Sequence, residues 1–240
     1  MTTLQQRIAP VNLAEEERLP VPDALVDLFP LAGLQRGWSV GFSGHGGWSV
    51  ALAMLGAAVG SDGWAAGVGL EELSLVAGEE LGLQLDRVLM VESPERGADG
   101  SVPSVIASLI EVVDVVCLGR VGPIGIRDAR RLMARAREQD AVLFHLSPGT
   151  GPGDRTGWPH PMDVTLHAEV GEWSGIGGGH GHLTTRTLTV TTSGRRSMAK
   201  PRRVEVLLPG PDGVPIPAPD ASVADPRQEK VEVGVWPVSA

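Results

Sequence analysis

The sequence predicts an α/β protein in which a largely parallel sheet carries helices on both faces and gains antiparallel strands at its C-terminal edge. Two observations lead to this fold class. Up to residue 150, helical stretches alternate with short, continuously apolar stretches, which is typical of parallel strands buried on both faces. After residue 150, the stretches are rich in Thr and Val and alternate between polar and apolar residues, which favours antiparallel strands.

The first elements form a unit of strand, glycine loop and helix. Pro20 and Pro22 precede Asp23, which is placed to cap a short helix over ALVDLF. The apolar segment WSVGF, residues 38–42, predicts a buried strand, and the glycines of GFSGHGG follow directly. The small apolar residues of Trp48–Val59 predict a helix that packs closely on the sheet.

Helices and strands then alternate up to residue 146. GLEELSLVAGEELG is amphipathic and predicts a helix that ends at Gly82. The apolar character of DRVLMV, VVDVVCL and AVLFHL predicts three more buried strands. In chain order, the predicted elements are a helix at 69–82, a strand at 86–91, a helix at 101–110, a strand at 112–118, a helix at 127–139 and a strand at 141–146.

The last third of the chain predicts strands followed by a tail. Three alternating segments, at 162–170, 182–192 and 202–208, are the predicted antiparallel strands. From Pro209 onward the chain is rich in Pro and Asp and has too little apolar surface to order itself, until KVEVGVWPV regains an alternation that suits a docking strand. We therefore predict a flexible lead-in over 1–20, a folded domain over 21–208, and a Pro-rich linker and tail over 209–240.

Composition and charge exclude several classes of protein. With 42% hydrophobic and 20% charged residues, the chain is globular rather than wholly disordered. No apolar run approaches the ~20 residues of a bilayer span, and the first residues lack an apolar signal core, so we expect a cytoplasmic protein. The single cysteine, Cys117, excludes an intramolecular disulfide and a thiolate metal cage. The net charge of -9 argues against nucleic-acid binding over the whole surface.

The glycine loop has the context of a phosphate-binding P-loop but lacks the side chains that such a loop needs. In GxxxxGK[ST], the glycines let backbone N–H groups wrap the phosphates, Lys neutralises charge, and Ser or Thr holds magnesium. With Gly41 and Gly46 as the two glycines, Gly47 takes the lysine position and Trp48 the hydroxyl position. Shifting the register by one residue recovers Ser49 as the hydroxyl but puts Trp48 at the lysine position. Both registers lose the lysine.

The acid that would hold a metal ion is missing as well. In folds of this kind it usually ends a later apolar strand, but VVDVVCL runs into Gly119–Arg120, with Asp114 inside or at the start of the strand. Without lysine, hydroxyl and acid, little remains to stabilise transferring charge. We therefore expect no hydrolysis and no cofactor, and only weak anion binding by the amides of Gly46 and Gly47 stays open.

Histidine and serine constellations give weaker indications. His180 and His182 invite a metal site, but they have no thiolate and no acid at ligand spacing, so we favour a hairpin loop. Ser43 or Ser49 with His45 lacks the nucleophile elbow G-x-S-x-G, so esterase-like chemistry is not expected. No catalytic residue and no metal ligand is therefore predicted.

Five segments of the chain carry a family resemblance: LFPLAGLQRGWSVGFSGHGG, ELGLQLDRVLMVESPE, VVDVVCL, AVLFHL and TSGRRSMAKPRRVEVLLPG. In their order and spacing, over about residues 20–208, the chain resembles the RecA family. AGLQRG and the GRR…KPRRV…LPG ending make it similar, within that family, to the actinobacterial ImuA-prime group. In this resemblance the catalytic glutamate of the recombinases falls near Leu70, with Glu71 one place away, so ATP-gated strand exchange is not expected.

The resemblance implies a RecA-like core and a non-catalytic adaptor in DNA-damage-induced mutagenesis, the translesion synthesis of the SOS response. Its implied partners are ImuB, a catalytically dead relative of the Y-family polymerases, and RecA, which it would link to an error-prone DnaE-type polymerase on the nucleoid. Filament formation is not expected, because the self-assembly helix of the recombinases is not visible in residues 1–20. Two alternatives stay open: a divergent RecA-like ATPase stimulated by DNA, and a stand-alone single-stranded DNA-binding protein.

A basic segment and one tail tryptophan supply the candidate contact residues. Between Arg186 and Val204, six basic residues occur without an acid. They suit phosphate contacts or an acidic protein partner, and a solvated hairpin is an equally good interpretation. The tail adds an aromatic residue that suits an anchor for a partner. The predicted DNA-binding or partner-binding residues are Arg195, Arg196, Lys200, Arg202, Arg203 and Trp236.

Overall fold

The computed structural model describes residues 18–92, 101–146, 158–177, 180–195 and 198–219. The helices are α1 (Gly47–Val59), α2 (Leu75–Glu80), α3 (Val102–Ile110) and α4 (Ile126–Glu138), and 3-10 turns lie at Asp23–Leu28 and Leu85–Arg87. The strands are β1 (Arg18–Leu19), β2 (Leu34–Gln35), β3 (Ser39–Ser43), β4 (Ala65–Val68), β5 (Val88–Val91), β6 (Val115–Leu118), β7 (Val142–Leu146), β8 (Val164–Gly177), β9 (His180–Gly194), β10 (Arg203–Leu207) and β11 (Ile216–Pro217).

Nine strands form one mixed sheet in the described part of the chain, in the order β11-β10-β9-β8-β3-β7-β6-β4-β5. The strands from β8 to β5 along this order are mutually parallel, and β9, β10 and β11 are antiparallel to their neighbours. The predicted fold class is confirmed: the parallel strands come first in the chain, and the antiparallel strands extend one edge of the sheet.

One of the late strands departs from the expected antiparallel pairing. β8 lies parallel to β3, with Val40 opposite Val164. Its start is held by the Asp163 carboxylate, which accepts hydrogen bonds from the backbone N–H of Ser39 at 3.0 Å and from the Ser39 hydroxyl at 2.9 Å. These bonds join residues 124 positions apart, so no local sequence pattern encodes them.

Apolar side chains cover both faces of the parallel part of the sheet. Successive residues of β6 alternate between two cores, with Val115 in the core beneath α1 and Val116 in the core beneath α3 and α4. In the first core, Phe42 and Phe144 meet edge to face, with their ring centroids 4.9 Å apart. Burial on both faces explains why these strands read as continuously apolar stretches.

Two predicted elements are shorter or more exposed than expected. The helix predicted over 69–82 is reduced to α2, because Ser74 caps its start by accepting a hydrogen bond from the Ala77 N–H at 3.3 Å. The strand predicted over 86–91 as buried is the edge strand β5, in which Leu89 and Met90 are each 42% exposed. Its sequence is apolar enough for a central strand, and only its position in the sheet exposes it.

Element starts also differ in detail. Asp23 is the first residue of its 3-10 turn rather than the cap, a position that Pro22 takes without a side-chain hydrogen bond. β6 begins at Val115, three residues later than predicted, and Val112 is exposed. No helix in the described ranges is long and apolar enough to cross a membrane.

The sheets extend past both predicted domain boundaries. Arg18 and Leu19 pair with Gln35 and Leu34, and β11 pairs with β10 after the predicted boundary at 208. Residues 209–219 therefore border the sheet rather than leave it as a linker. Residues 1–17 and 220–240 lie outside the described residues, and the division into lead-in, domain and tail stays a prediction.

Candidate nucleotide loop and basic surface

The connection between β3 and α1 consists of Gly44, His45 and Gly46. Gly41 is not part of it, because this glycine lies inside β3 and pairs with His145 of β7 and Thr165 of β8. A phosphate-binding loop starts at its first glycine and needs four residues before the second. The predicted register starting at Gly41 therefore does not form a loop of that length.

The short loop is pressed against β8 and β9. Gly44 has a φ of +83°, and a Cβ at this position would collide with the carbonyl oxygen of Ala168. A Cβ on Gly46 would lie 2.9 Å from Cδ2 of Leu188 and 3.1 Å from Cβ of Ala168. The glycines are required here for close packing of the chain on itself.

The two backbone amides for which anion binding stayed open, those of Gly46 and Gly47, already have acceptors. The Gly46 N–H donates to the carbonyl oxygen of Ala168, with an N···O distance of 3.1 Å. The Gly47 N–H donates to the carbonyl oxygen of Gly44 at 3.0 Å. The anion binding that the sequence left open for these two amides would require both hydrogen bonds to break.

Arg186 of β9 belongs to the basic segment, and no sequence pattern links it to the loop, yet its side chain reaches the start of α1. Its Nη2 donates to the Ser49 hydroxyl at 2.8 Å, and its guanidinium lies 5.0 Å from the centroid of the Trp173 ring. Burial lowers the pKa of the Arg186 guanidinium from its ordinary value. Arg186 and Ser49 are 137 positions apart in the sequence, so only the packing of β9 beside α1 reveals their contact.

The acid of the VVDVVCL segment lies at the opposite end of the sheet from the loop. Asp114 precedes β6 at its amino end, where it pairs with Arg36 at 2.9 Å and accepts a hydrogen bond from the Trp64 N–H at 3.0 Å. The loop between β3 and α1 lies at the carboxyl ends of the parallel strands. Leu70, at the position of the recombinase glutamate in the resemblance, is buried.

Ser43 and His167 form a polar pair beside the loop. The register of β3 and β8 sets them opposite each other, and the Ser43 hydroxyl lies 3.1 Å from Nδ1 of His167. Nε2 of the same ring is 3.7 Å from Oε1 of the exposed Glu169. The combination of Ser43 with His45 that the sequence analysis weighed does not form, because His45 is exposed and the partner of Ser43 comes from the neighbouring strand.

The predicted basic surface is partly neutralised. Arg202 donates from Nη1 to the carbonyl oxygen of Asp27 at 2.8 Å, and Arg203 pairs with Glu205 at 2.7 Å. Arg195 and Lys200 are exposed. Arg196 and Trp236 lie outside the described residues.

Arg195 also borders a cavity of about 360 Å³ at the amino end of the sheet. Arg36 and Arg137 line the same cavity, together with Asp140 and Asp163. Arg36 is held by Asp114, and Arg137 lies 3.3 Å from Asp163. The arginines at this cavity are thus largely matched by carboxylates. In the described ranges, no group of three or more His, Cys, Asp or Glu residues is arranged to hold a metal ion.

Comparison with protein families gives a match to the model described as MT3502 N-terminal domain, over residues 27–153. The match spans more than half of the chain. The protein belongs to this family. The part of the chain that matches the MT3502 N-terminal domain runs from the first 3-10 turn through the loop after β3 to beyond β7, and it ends before β8.

Among solved structures, the crystal structure of the RadB recombinase is similar to this chain. The TM-score is 0.55 and the sequence identity is 16%, with 80% of this chain and 95% of that chain covered. This similarity shows a RecA-like fold. A search of curated protein sequences gives no match.

The two comparisons cover different parts of the chain. The MT3502 N-terminal domain model ends before β8, whereas the similarity to RadB covers a larger share of the chain. The hairpin of β8 and β9 and the basic residues after it therefore lie outside the family match. The region matched by the MT3502 N-terminal domain model contains the loop between β3 and α1. The late strands, outside that match, contain Arg186 and the predicted basic residues.

Proposed function

We propose that this protein is a RecA-fold adaptor that binds partners and does not hydrolyse nucleotides. The observation that carries the proposal is the closed loop between β3 and α1. Its amides at Gly46 and Gly47 are bonded to carbonyl oxygens of the chain, and its sequence has no lysine. A nucleoside triphosphate that used these two amides would have to break both bonds, and it would meet no lysine of the loop to offset the phosphate charge.

Translesion synthesis is the proposed setting, and the resemblance to the ImuA-prime group supports it. In this setting the protein links an ImuB-like relative of the Y-family polymerases, and RecA, to an error-prone DnaE-type polymerase after DNA damage. The exposed Arg195 and Lys200 are proposed to contact these partners or single-stranded DNA, together with the tail 209–240 and its Trp236. In an acidic protein, local basic groups of this kind suit a negatively charged partner surface.

Nucleotide binding is the first test. The purified full chain is incubated with ATP and Mg²⁺, with and without single-stranded DNA, and RecA serves as the positive control. We expect neither saturable binding nor turnover. Saturable Mg–ATP binding would overturn the proposal and favour the divergent ATPase, since the loop would then have to open.

Partner binding is the second test. Arg195→Ala combined with Lys200→Ala should weaken binding of the ImuB-like partner at least about tenfold, because both cations are lost from one surface. Arg127→Ala combined with Arg130→Ala is the matched control, since it removes two exposed charges from α4. Equal affinity of all three proteins for the partner would contradict the assigned surface. If the partner does not bind but an oligonucleotide does, with a salt slope of several counterions, the single-stranded DNA-binding alternative is favoured.

A further inference from the structure

The hairpin of β8 and β9 is far longer than its neighbours. β8 has 14 residues and β9 has 15, whereas β3 and β10 have 5 each. β3 pairs with Val164–His167 only, and β10 pairs with Thr187–Thr191 only. The distal part, residues 169–177 and 180–186, is called the ribbon below. It projects beyond the sheet as two strands paired with each other.

Apolar side chains on the ribbon are left uncovered. Trp173 and Ile176 are each 45% exposed, and Leu183 is 53% exposed. Arg186 covers part of Trp173, and the Ser174 and Thr185 hydroxyls lie 2.6 Å apart across the two strands. A hairpin of two strands alone is marginally stable in water and gains most from a third strand.

The two backbone edges of the ribbon differ. β8 has register shifts after Val170 and after Ser174, and the exposed Glu169 and Glu172 lie on this strand. Bulges and charges are the features that block strand pairing at an edge. The outer edge of β9 carries the uncharged sequence GHLTT before Arg186. The last bond on that side, within the described ranges, runs from the Leu208 N–H to the Arg186 carbonyl oxygen at 2.9 Å.

We propose that the C-terminal segment Lys230–Val238 of this chain pairs as a strand with the outer edge of β9 over Gly181–Thr185, in line with β10. The segment KVEVGVWPV alternates Val231, Val233 and Val235 with other residues, the pattern of a strand with one apolar face. Docked there, it satisfies backbone groups of β9 and covers Leu183, and Trp236, which alternates with the valines, stays on the opposite face for the proposed partners.

The length of the chain allows this docking within one molecule. The described chain ends beside β10, where the Ala218 N–H donates to the Glu205 carbonyl oxygen at 2.9 Å. Glu205 lies opposite Thr189, so the edge at Leu183 is about 20 Å further along β9 and two strand spacings across. Residues 220–229, when extended, span about 33 Å. The segment therefore reaches the ribbon without strain.

A polyanion is a poorer occupant of this edge. Among the described residues of the ribbon, Glu169 and Glu172 oppose the single cation Arg186, which already contacts Ser49 and Trp173. Nucleic-acid surfaces of proteins carry an excess of positive charge, which the ribbon lacks.

Hydrogen exchange in the full chain tests the docking. We expect the amides of residues 181–185 to exchange at least about tenfold faster in Val233→Pro than in the unsubstituted protein, because proline removes a donor from the added strand. Val223→Pro, in the preceding linker, is the matched control and should leave exchange unchanged. Equal exchange in all three proteins, or faster exchange in both variants, overturns the proposal. Because no partner takes part, this result is independent of the adaptor role.

Disulfide trapping separates the possible occupants. Cys117 is buried, so cysteines introduced at Leu183 and Val233 are the reactive pair. We expect them to form an intramolecular disulfide at least about tenfold faster than cysteines at Leu89 and Val233, since the exposed Leu89 lies on the opposite edge strand. Equal rates for the two pairs overturn the proposal. A disulfide-linked dimer instead assigns the edge to a second copy of the chain.

Discussion

Ala168 lies between two very different regions, the loop between β3 and α1 and the ribbon. The loop is tightly packed against the sheet, whereas the ribbon is exposed to solvent. The carbonyl oxygen of Ala168 accepts the Gly46 N–H, and the loop closes on β8 with little free space. One residue further along β8 the ribbon begins, and its edges extend into solvent. A RecA-like fold offers a ligand the carboxyl ends of its parallel strands. In this chain that region is closed by backbone contacts, and the open surface lies on the late strands.

The largest expected effect tests how tightly the loop is closed. Gly44→Ala should lower the free energy of unfolding by about 4 kcal/mol, because the new Cβ meets the Ala168 carbonyl oxygen and the backbone has φ +83°. Gly122→Ala is the matched control: its φ is +71° and a Cβ there has nothing within 4 Å, so about 1 kcal/mol is expected. Urea denaturation measures both. Equal losses in the two variants would show that the loop is not closed on β8.

Shortening a side chain should reduce stability much more in the part of the hairpin that packs on the loop than in the ribbon. Leu188→Ala removes a fully buried side chain that packs on the loop, and about 3 kcal/mol of unfolding free energy should be lost. Ile176→Ala removes a side chain that is 45% exposed on the β8 strand of the ribbon, away from the β9 edge to which the C-terminal segment is proposed to dock, and we expect a loss of about 0.5 kcal/mol. Thermal or urea unfolding measures the loss of unfolding free energy in both variants. A loss of 2 kcal/mol or more at Ile176 would show that the β8 strand of the ribbon is covered as well.

The pH dependence of stability tests the buried side of the comparison. Burial raises the pKa of the Cys117 thiol well above its ordinary value. A raised pKa in the folded state stabilises the protein below the ordinary thiol pKa of about 8.5, and this contribution is lost as the pH rises further, by about 1.4 kcal/mol per pH unit. Unfolding of the protein and of Cys117→Ala at pH 8 to 10 measures this slope. The substitution should remove it, and an equal slope in both proteins would exclude Cys117 as its source.

The smallest expected effect comes from replacing Arg186, which contacts both the start of α1 and the ribbon. Arg186→Met should lower the unfolding free energy by about 1 kcal/mol, because the contacts with Ser49 and Trp173 are lost. Arg203→Met, at an exposed pair with Glu205, is the control, and a loss of about 0.3 kcal/mol is expected. Chemical denaturation compares the two variants. A larger loss at Arg203 than at Arg186 would show that the Arg186 contact contributes little to joining the loop and the hairpin.

Much of the fold could be predicted because most elements have local signals. The helix α1 and the strands β3, β6 and β7 were predicted to within a few residues, since their apolar runs reflect burial on both faces. The exposure of β5 and the parallel direction of β8 were not predicted. Both depend on the order of strands in the sheet, which long-range contacts such as that of Asp163 with Ser39 decide.

For the candidate site, the sequence predicted which residues are missing but not which contacts form. The absence of lysine from GFSGHGGWS is visible in the sequence, and so is the glycine, Gly119, that follows VVDVVCL where an acid would be needed. The contact of Arg186 with Ser49 joins residues 137 positions apart, and the partner of Ser43 is His167 rather than the nearby His45. Spacing along the chain carries no signal for either pair, because the register between strands brings them together.

The sequence by itself determined the fold class, the buried parallel strands and the missing lysine, because side-chain burial and residue type are local properties that the order of residues records directly. Only the tertiary structure decided that the amides of Gly46 and Gly47 bond to the chain itself and that the ribbon projects from the sheet. Hydrogen bonds between distant strands depend on where each strand lies in the sheet. That position results from the packing of the whole domain and not from the pattern of any one segment.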